Sequence, residues 1–194
     1  PVGLLQNLGL SWAPRWHYAV LTGHDLDAGT LTLHSGETPS MAMGLTPFEH
    51  TWARGGHWAF VLHAPGELPA TARREDLIAS ALGFGRVAPP AAQVRAWDAL
   101  LSRWPEDLVA RMGRGNARHA AGELDAAAQD FEAAARAHDS AAAWNNLAQT
   151  RLQQGRRAEA LGAARRALQR AREAEPDWAA ACEGTLREVM ATLP

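Results

Sequence analysis

Lysine is absent: all 19 cationic residues of this 194-residue chain are arginine. Chemistry that needs a free side-chain amine, such as a Schiff base or a lysine nucleophile, is thereby excluded. Cysteine is almost absent. Cys182 stands alone, so no internal disulfide can form, and one thiol says little about redox compartment. Long apolar runs are missing, and none approaches the ~20 residues of a membrane span. No signal-peptide pattern occurs. The chain opens on Pro1 inside a predicted strand rather than on Met, so a missing leader decides nothing about location. An excess of one charge is lacking as well. A net charge of −2 gives no electrostatic footprint for nucleic acid or for an anionic membrane.

What is present is a folded composition, 47% apolar and 21% charged, long enough for one large domain or two small ones. Composition changes near residue 66. Six of the eight histidines lie before it, among Gly, Thr and short apolar runs. After it the chain is rich in Ala, Arg, Glu and Leu with helical periodicity.

The first part reads as strands over Val2–Asn7, Trp16–Thr22, Thr30–His34 and His57–His63. Asp27-Ala28-Gly29 is a hairpin-like turn. Thr46-Pro47-Phe48-Glu49 predicts a short helix with Thr46 as N-cap, running to about Arg54 and stopped by Gly55-Gly56. Four strands and one helix are thin for an independent core, so the sheet is expected to need further cover. Apolar strands left exposed could drive a homodimer.

Pro65-Gly66-Glu67-Leu68-Pro69 reads as a linker. Helices are expected over 72–82, 91–104, 106–121, 124–138, 141–154, 157–174 and 177–192. They contain an internal repeat. Gly115, Gly122, Ala127, Phe131 and Ala134 recur 33 residues later as Ala148, Gly155, Ala160, Ala164 and Ala167. Leu124, Ala127, Ala128, Phe131, Ala134 and Ala135 form an apolar stripe on one helix face. Gly122 and Gly155 suit the helix ends, and Ala127 and Ala160 let two helices approach closely. This pattern resembles the tetratricopeptide repeat over about Leu108 to Leu168. A degenerate unit precedes it, with Trp97 at the aromatic position and Pro105 as the closing proline, and the last helix would cap the stack.

Repeats of this kind stack into a groove lined by the first helix of each pair. Asn116, at the ninth position of the first repeat, and Asn146, at the sixth of the second, match two asparagines with which some tetratricopeptide domains hold a peptide's terminal carboxylate. An amide side chain offers an extended backbone both a donor and an acceptor. Met112 replaces the basic residue of that clamp, so the resemblance implies a protein or peptide ligand more generally. Unliganded surface asparagines are the alternative. Arg118 and Arg151 either add charge to the groove or are solvated.

In the first part, Trp16-His17-Tyr18-Ala19-Val20-Leu21-Thr22-Gly23-His24-Asp25 opens an apolar strand on a histidine and ends it in a Gly-x-Asp turn. With the Thr30–Gly36 strand and the Phe48-Glu49-His50-Thr51-Trp52 helix, it resembles the histidine region of papain-like cysteine peptidases of the bacteriocin-processing class. The resemblance implies His17 as general base. The family has Asp-Pro after the next strand; Ser35-Gly36 stands there instead. Ser35 can accept a hydrogen bond from the ring without offering charge. Asp25 or Glu37 could replace it. The family's nucleophilic Cys and its oxyanion Gln would lie before Pro1. Cys182 follows His17, reversing the family's order, and sits among alanines as a small buried residue does. The chain is therefore expected not to hydrolyse peptides by itself.

The expected architecture is α+β. It comprises a partial papain-like antiparallel β half-domain (1–66), a linker with a degenerate helical repeat (67–107), and an all-α tetratricopeptide superhelix with a capping helix (108–194). The resemblance implies part of a bacterial cysteine-peptidase-like protein of the periplasm or cell envelope. The alternative is a non-catalytic peptide-binding or scaffold protein acting through its repeats, with His17 structural. No cofactor is expected. No metal is expected either, because His24, His34, His50, His57 and His63 show no His-x-x-x-His pair and no accompanying Cys. Trp12, Trp16, Trp52 and Trp58 could line a cleft, but core packing is the expectation for most.

Overall fold

The structure is a computed structural model and describes residues 1–192. The chain forms two compact units, Pro1–Ala64 and a second one beginning at Pro65.

The first unit is a five-stranded antiparallel sheet with one helix. Its strands are β1 (Val2–Asn7), β2 (Trp16–Asp25), β3 (Thr30–Ser35), β4 (Thr38–Gly44) and β5 (Ala59–Val61), in the spatial order β4-β3-β2-β1-β5. The hairpin after β2 closes where the Ala28 amide donates to Asp25 Oδ1 at 2.9 Å and Gly29 turns at φ +63°. β4 is a strand the sequence reading missed. It carries Pro39 and Ser40 and no run of β-branched residues, and it sits at the sheet edge, where a missing N–H is tolerated.

Helix α1 (Leu45–Arg54) follows β4 directly. Its N-cap is Gly44, not Thr46, because Gly44 is still paired to Thr30 in the ladder and the Leu45 amide donates to the Gly29 carbonyl at 2.8 Å. The helix ends at Gly55, as expected. A β-carbon there would lie 2.3 Å from the Leu5 carbonyl oxygen, so only glycine lets α1 end against β1. β5 is shorter than the predicted 57–63 segment, since His57 turns at φ +53° just before it.

Alternation along the strands gives the sheet two different faces. Leu4, Leu31 and Leu33 pack with Phe48 of α1 on one side, joined by Val2, Leu21, Met41, Met43 and Trp52. On the other side, Trp16, Tyr18, Trp58 and Phe60 are exposed. Most of the four tryptophans therefore depart from the expected core packing. Trp12, Trp16 and Trp58 are exposed, and only Trp52 joins the core.

The second unit is all helical: α2 (Arg74–Phe84), α3 (Pro90–Arg103), α4 (Leu108–Ala120), α5 (Leu124–His138), α6 (Ala141–Gln153), α7 (Arg157–Ala174) and α8 (Ala179–Ala191). A 3-10 turn, Pro176–Trp178, precedes α8 where one continuous helix was expected. Pairs α4–α5 and α6–α7 turn at Gly122 and Gly155, both at φ above +70°. Ala127 and Ala160 are fully buried, which is how these helices come close. Phe131 fills the core between the pairs, with Leu147, Ala148, Ala163, Ala164 and Val189. α4 starts on Asp107, whose Oδ1 accepts the Ala110 amide at 2.8 Å, while Arg74 of α2 pairs with its other oxygen.

Asp139 ties three helices together. It closes α5 in the left-handed region, accepts the Trp144 indole N–H of α6 at 2.9 Å, and accepts Arg166 Nε–H of α7 at 3.0 Å. Its carboxyl is held below the usual carboxylate range, first by Trp144 and, against some desolvation, by Arg166 and Arg170. A depressed folded-state pKa contributes stability that is present above the unfolded value, near pH 4, and lost as pH falls through the folded value. Asp139→Asn keeps a residue tolerant of this backbone and abolishes that titration. The variant's stability should change less than that of the unaltered chain between pH 5 and 2 in urea titrations. Equal losses for both chains would contradict the assignment.

Candidate functional site

Each unit brings together part of what the sequence singled out. In the sheet unit, His17 of β2 and Ser35 of β3 lie on the face that carries α1, since Gln6 pairs with His17, and Ala19, two residues on, pairs with Ser35. His17 Nε2 and Ser35 Oγ are 2.7 Å apart, a short hydrogen bond whose proton position follows the tautomer. Among the described residues nothing bonds to Nδ1. Beside them, Gln6 is buried and its Nε2 donates to Thr51 Oγ1 of α1 at 2.7 Å.

Asp25 does not belong to this group. It lies eight residues along β2 from His17, roughly 26 Å at strand rise. Its carboxylate caps the hairpin turn instead. Among the described residues Glu37 makes no bond to His17 either. Ser35 is thus the partner of the ring, and the Gly-x-Asp ending of the strand serves the turn. Cys182 is fully buried on α8, and burial pushes its thiol pKa up, the opposite of what a thiolate nucleophile needs. Among the described residues no three His, Cys, Asp or Glu side chains come together as metal ligands would. Among the described residues no helix is long and apolar enough to cross a membrane.

In the helical unit, Asn116 of α4 and Asn146 of α6 meet. Asn146 Nδ2–H donates to Asn116 Oδ1 at 3.2 Å. They line a cleft of about 160 Å³ with His119, Phe131, Gln149 and Thr150. Gln149 was overlooked in the sequence. Its signal was the repeat itself, because Gln149 occupies in the second repeat the place Asn116 holds in the first, 33 residues on. Its Nε2–H donates to Thr185 Oγ1 of α8 at 3.1 Å, so three amides run from α4 across α6 toward α8.

The arginines of these helices are all committed elsewhere. Arg118, one expected groove cation, donates to Asp130 Oδ2 at 2.8 Å. Arg151, the other, donates to Glu132 Oε2 at 3.0 Å and to Gln154 Oε1 at 3.1 Å. Arg114 donates to Asp130 and Asp98; burial works against its charge, yet those two bonds outweigh burial and hold the guanidinium pKa above its ordinary value. Arg111 pairs with Glu106. Neither expected groove arginine is merely solvated. The cleft is thus lined by amides, a hydroxyl, an imidazole and a phenyl ring, with no arginine or carboxylate among them, so its polar groups offer directional hydrogen bonds.

No family model matches the chain, and no curated protein matches it. Solved structures do. The chaperone SycD of the Yersinia enterocolitica type III secretion system, solved in complex with a peptide of the translocator YopD, matches with a TM-score of 0.57 at 19% identity, covering 63% of this chain and 98% of that one. PcrH in complex with the chaperone-binding region of PopD matches with a TM-score of 0.58 at 21% identity, over 64% of this chain and 98% of that one. The Sgt2 TPR domain from Aspergillus fumigatus gives 0.56 at 19% identity, over 66% and 80%. Identities this low establish the fold: the helical unit has a tetratricopeptide-repeat fold.

Proposed function

We propose that the chain is a protein-interaction protein whose repeat unit holds an extended peptide across α4 and α6. The observation that carries this reading is the Asn116–Asn146 pair at the mouth of a cleft between successive first helices of the repeats. Each amide can exchange its bond to the other for bonds to a peptide backbone, one donor and one acceptor per residue. Two neighbours of the same fold, SycD and PcrH, were solved with a peptide of the translocator YopD and with the chaperone-binding region of PopD, which supports a peptide as the ligand class. With its cations paired to carboxylates, the cleft favours an uncharged peptide stretch over a terminal carboxylate.

The test is a peptide selected from a random display library on the intact chain. The double variant Asn116→Ala/Asn146→Ala should weaken that peptide about tenfold or more by fluorescence anisotropy, the worth of two net hydrogen bonds of about 1 kcal/mol each. Its melting temperature should stay close to that of the parent, since both side chains lie at the cleft surface. Unchanged affinity would sink the reading.

A second reading concerns the sheet unit and rests on the His17–Ser35 bond. The Nε2–Ser35 bond is compatible with a base oriented through that nitrogen, the role the resemblance implies. In this reading the unit is cysteine-peptidase-like and supplies a base without a thiolate. The chain alone should show no peptidase turnover. Robust turnover that His17→Ala abolishes would overturn that statement.

A further inference from the structure

We infer that the uncovered face of the five-stranded sheet is an interface between two copies of this chain. Four aromatic side chains lie there, three of them in a contact chain. Tyr18 of β2 meets Trp58 edge-on at 6.0 Å between ring centroids, and Trp58 meets Phe60 of β5 at 5.4 Å. Trp16 precedes them on the same face of β2. Gly3 of β1 sits between β2 and β5, and a β-carbon there would lie 2.3 Å from the Phe60 ring, so the glycine lets that ring lie down on the sheet. Exposure is 59% for Trp16, 65% for Tyr18, 47% for Trp58 and 41% for Phe60. Single exposed aromatics are ordinary, but a contiguous cluster of this kind marks a contact surface.

Area and charge select the occupant. Taking about 200–250 Å² for a whole aromatic side chain, these four and Val20 expose on the order of 500 Å². Laid face to face, two copies remove about 1,000 Å² in total, the floor for a specific interface. A twofold contact sets a patch against itself, so a charge on it would meet its own like. Around the rings there is none: Gly3, Leu5, Trp16, Tyr18, Val20, His34 and Phe60 include no Asp, Glu or Arg, and Asp25, at the far end of β2 on this side, is turned to the Ala28 amide of the hairpin. Stacked sheets stand ~10 Å apart, room for one layer of interdigitating rings. Stacked nucleobases would need cations for their phosphates, which the face does not offer.

Sedimentation equilibrium of the intact chain tests this. A dimer mass is expected in the micromolar range, with Tyr18→Arg reducing it to a monomer. Val87→Arg, an equally drastic change at an exposed position of the helical unit, should remain dimeric. Far-UV circular dichroism checks that Tyr18→Arg is folded. If it is not, Trp58→Gln, which lies outside the strands, takes its place and should also be monomeric. A chain that stays monomeric to about 200 μM hands the face to a different partner and overturns the inference. So does a dimer that survives the substitutions on the sheet face.

Discussion

Phe131→Ala should destabilise the helical unit by about 3–5 kcal/mol, the largest single loss expected in the chain. Phe131 is 1% exposed on α5 and faces Gly115 of α4, where an added β-carbon would stand 2.6 Å from the ring. What surrounds it decides the size of the loss. Its buried neighbours are mostly alanines, Ala127, Ala128, Ala148, Ala160, Ala163 and Ala164, on five-turn or shorter helices held by their own hydrogen bonds. Alanine has no rotamers with which to move into a void, so the cavity persists and the full cavity cost applies. The ring is also a wall of the Asn116–Asn146 cleft. The same substitution should therefore loosen the surface that binds peptide. Urea denaturation followed by helical ellipticity gives the number, with the two units allowed separate transitions. A loss under about 1.5 kcal/mol would mean that α4 and α5 close over the gap, against the close packing described above.

The helical unit was legible because it says everything twice. A 33-residue echo of small residues placed α5, α6 and α7 to within a residue of where they lie, and the resemblance to the asparagine clamp brought out Asn116 and Asn146. Gln149 was hidden by chemistry: at its place one repeat has asparagine and the other glutamine, so identity matching passes over it. The sheet unit states nothing twice. β4 was lost because an edge strand can carry Pro39. The tryptophans were misjudged because alternation fixes which residues share a face, not which face is covered. Trp16 and Tyr18 share parity with each other, and the helix chose the other side. Thr46 has the ideal residue type for an N-cap, but a ladder that continues into Gly44 overrode that local preference. Asp25 was read from its place in a motif; its distance from His17 follows only from an extended strand running the whole length between them.

Asp130→Ala should cost about 3 kcal/mol, and the repeat itself shows how to recover part of it. Asp130 is 3% exposed on α5. It accepts Arg114 Nε–H at 3.0 Å and Arg118 Nη1–H at 2.8 Å, one turn apart on α4. Removing the carboxylate takes a partner from two partly buried guanidinium groups, and an orphaned buried charge costs about 3–5 kcal/mol. The lower end applies, because Arg114 keeps Asp98 at 2.7 Å and both arginines are about one-fifth exposed. In the second repeat the places of Arg114 and Asp130 are taken by Leu147 and Ala163, both buried in the apolar core. The fold thus solves one packing problem with an ion pair and again without one. The double variant Arg114→Leu/Asp130→Ala copies the second solution into the first repeat. Replacing an ion pair by apolar groups is often neutral, whereas deleting one member is not; Arg118 still loses Asp130 in the double variant, so the recovery is partial. It should therefore regain at least about 1 kcal/mol over Asp130→Ala, a coupling readable in a double-mutant cycle. A double variant no more stable than the single one would show that the arginines, not the charge pairing, fix α4 against α5. That would bear on peptide binding, since Asn116 sits between Arg114 and Arg118 and takes its position from the same helix.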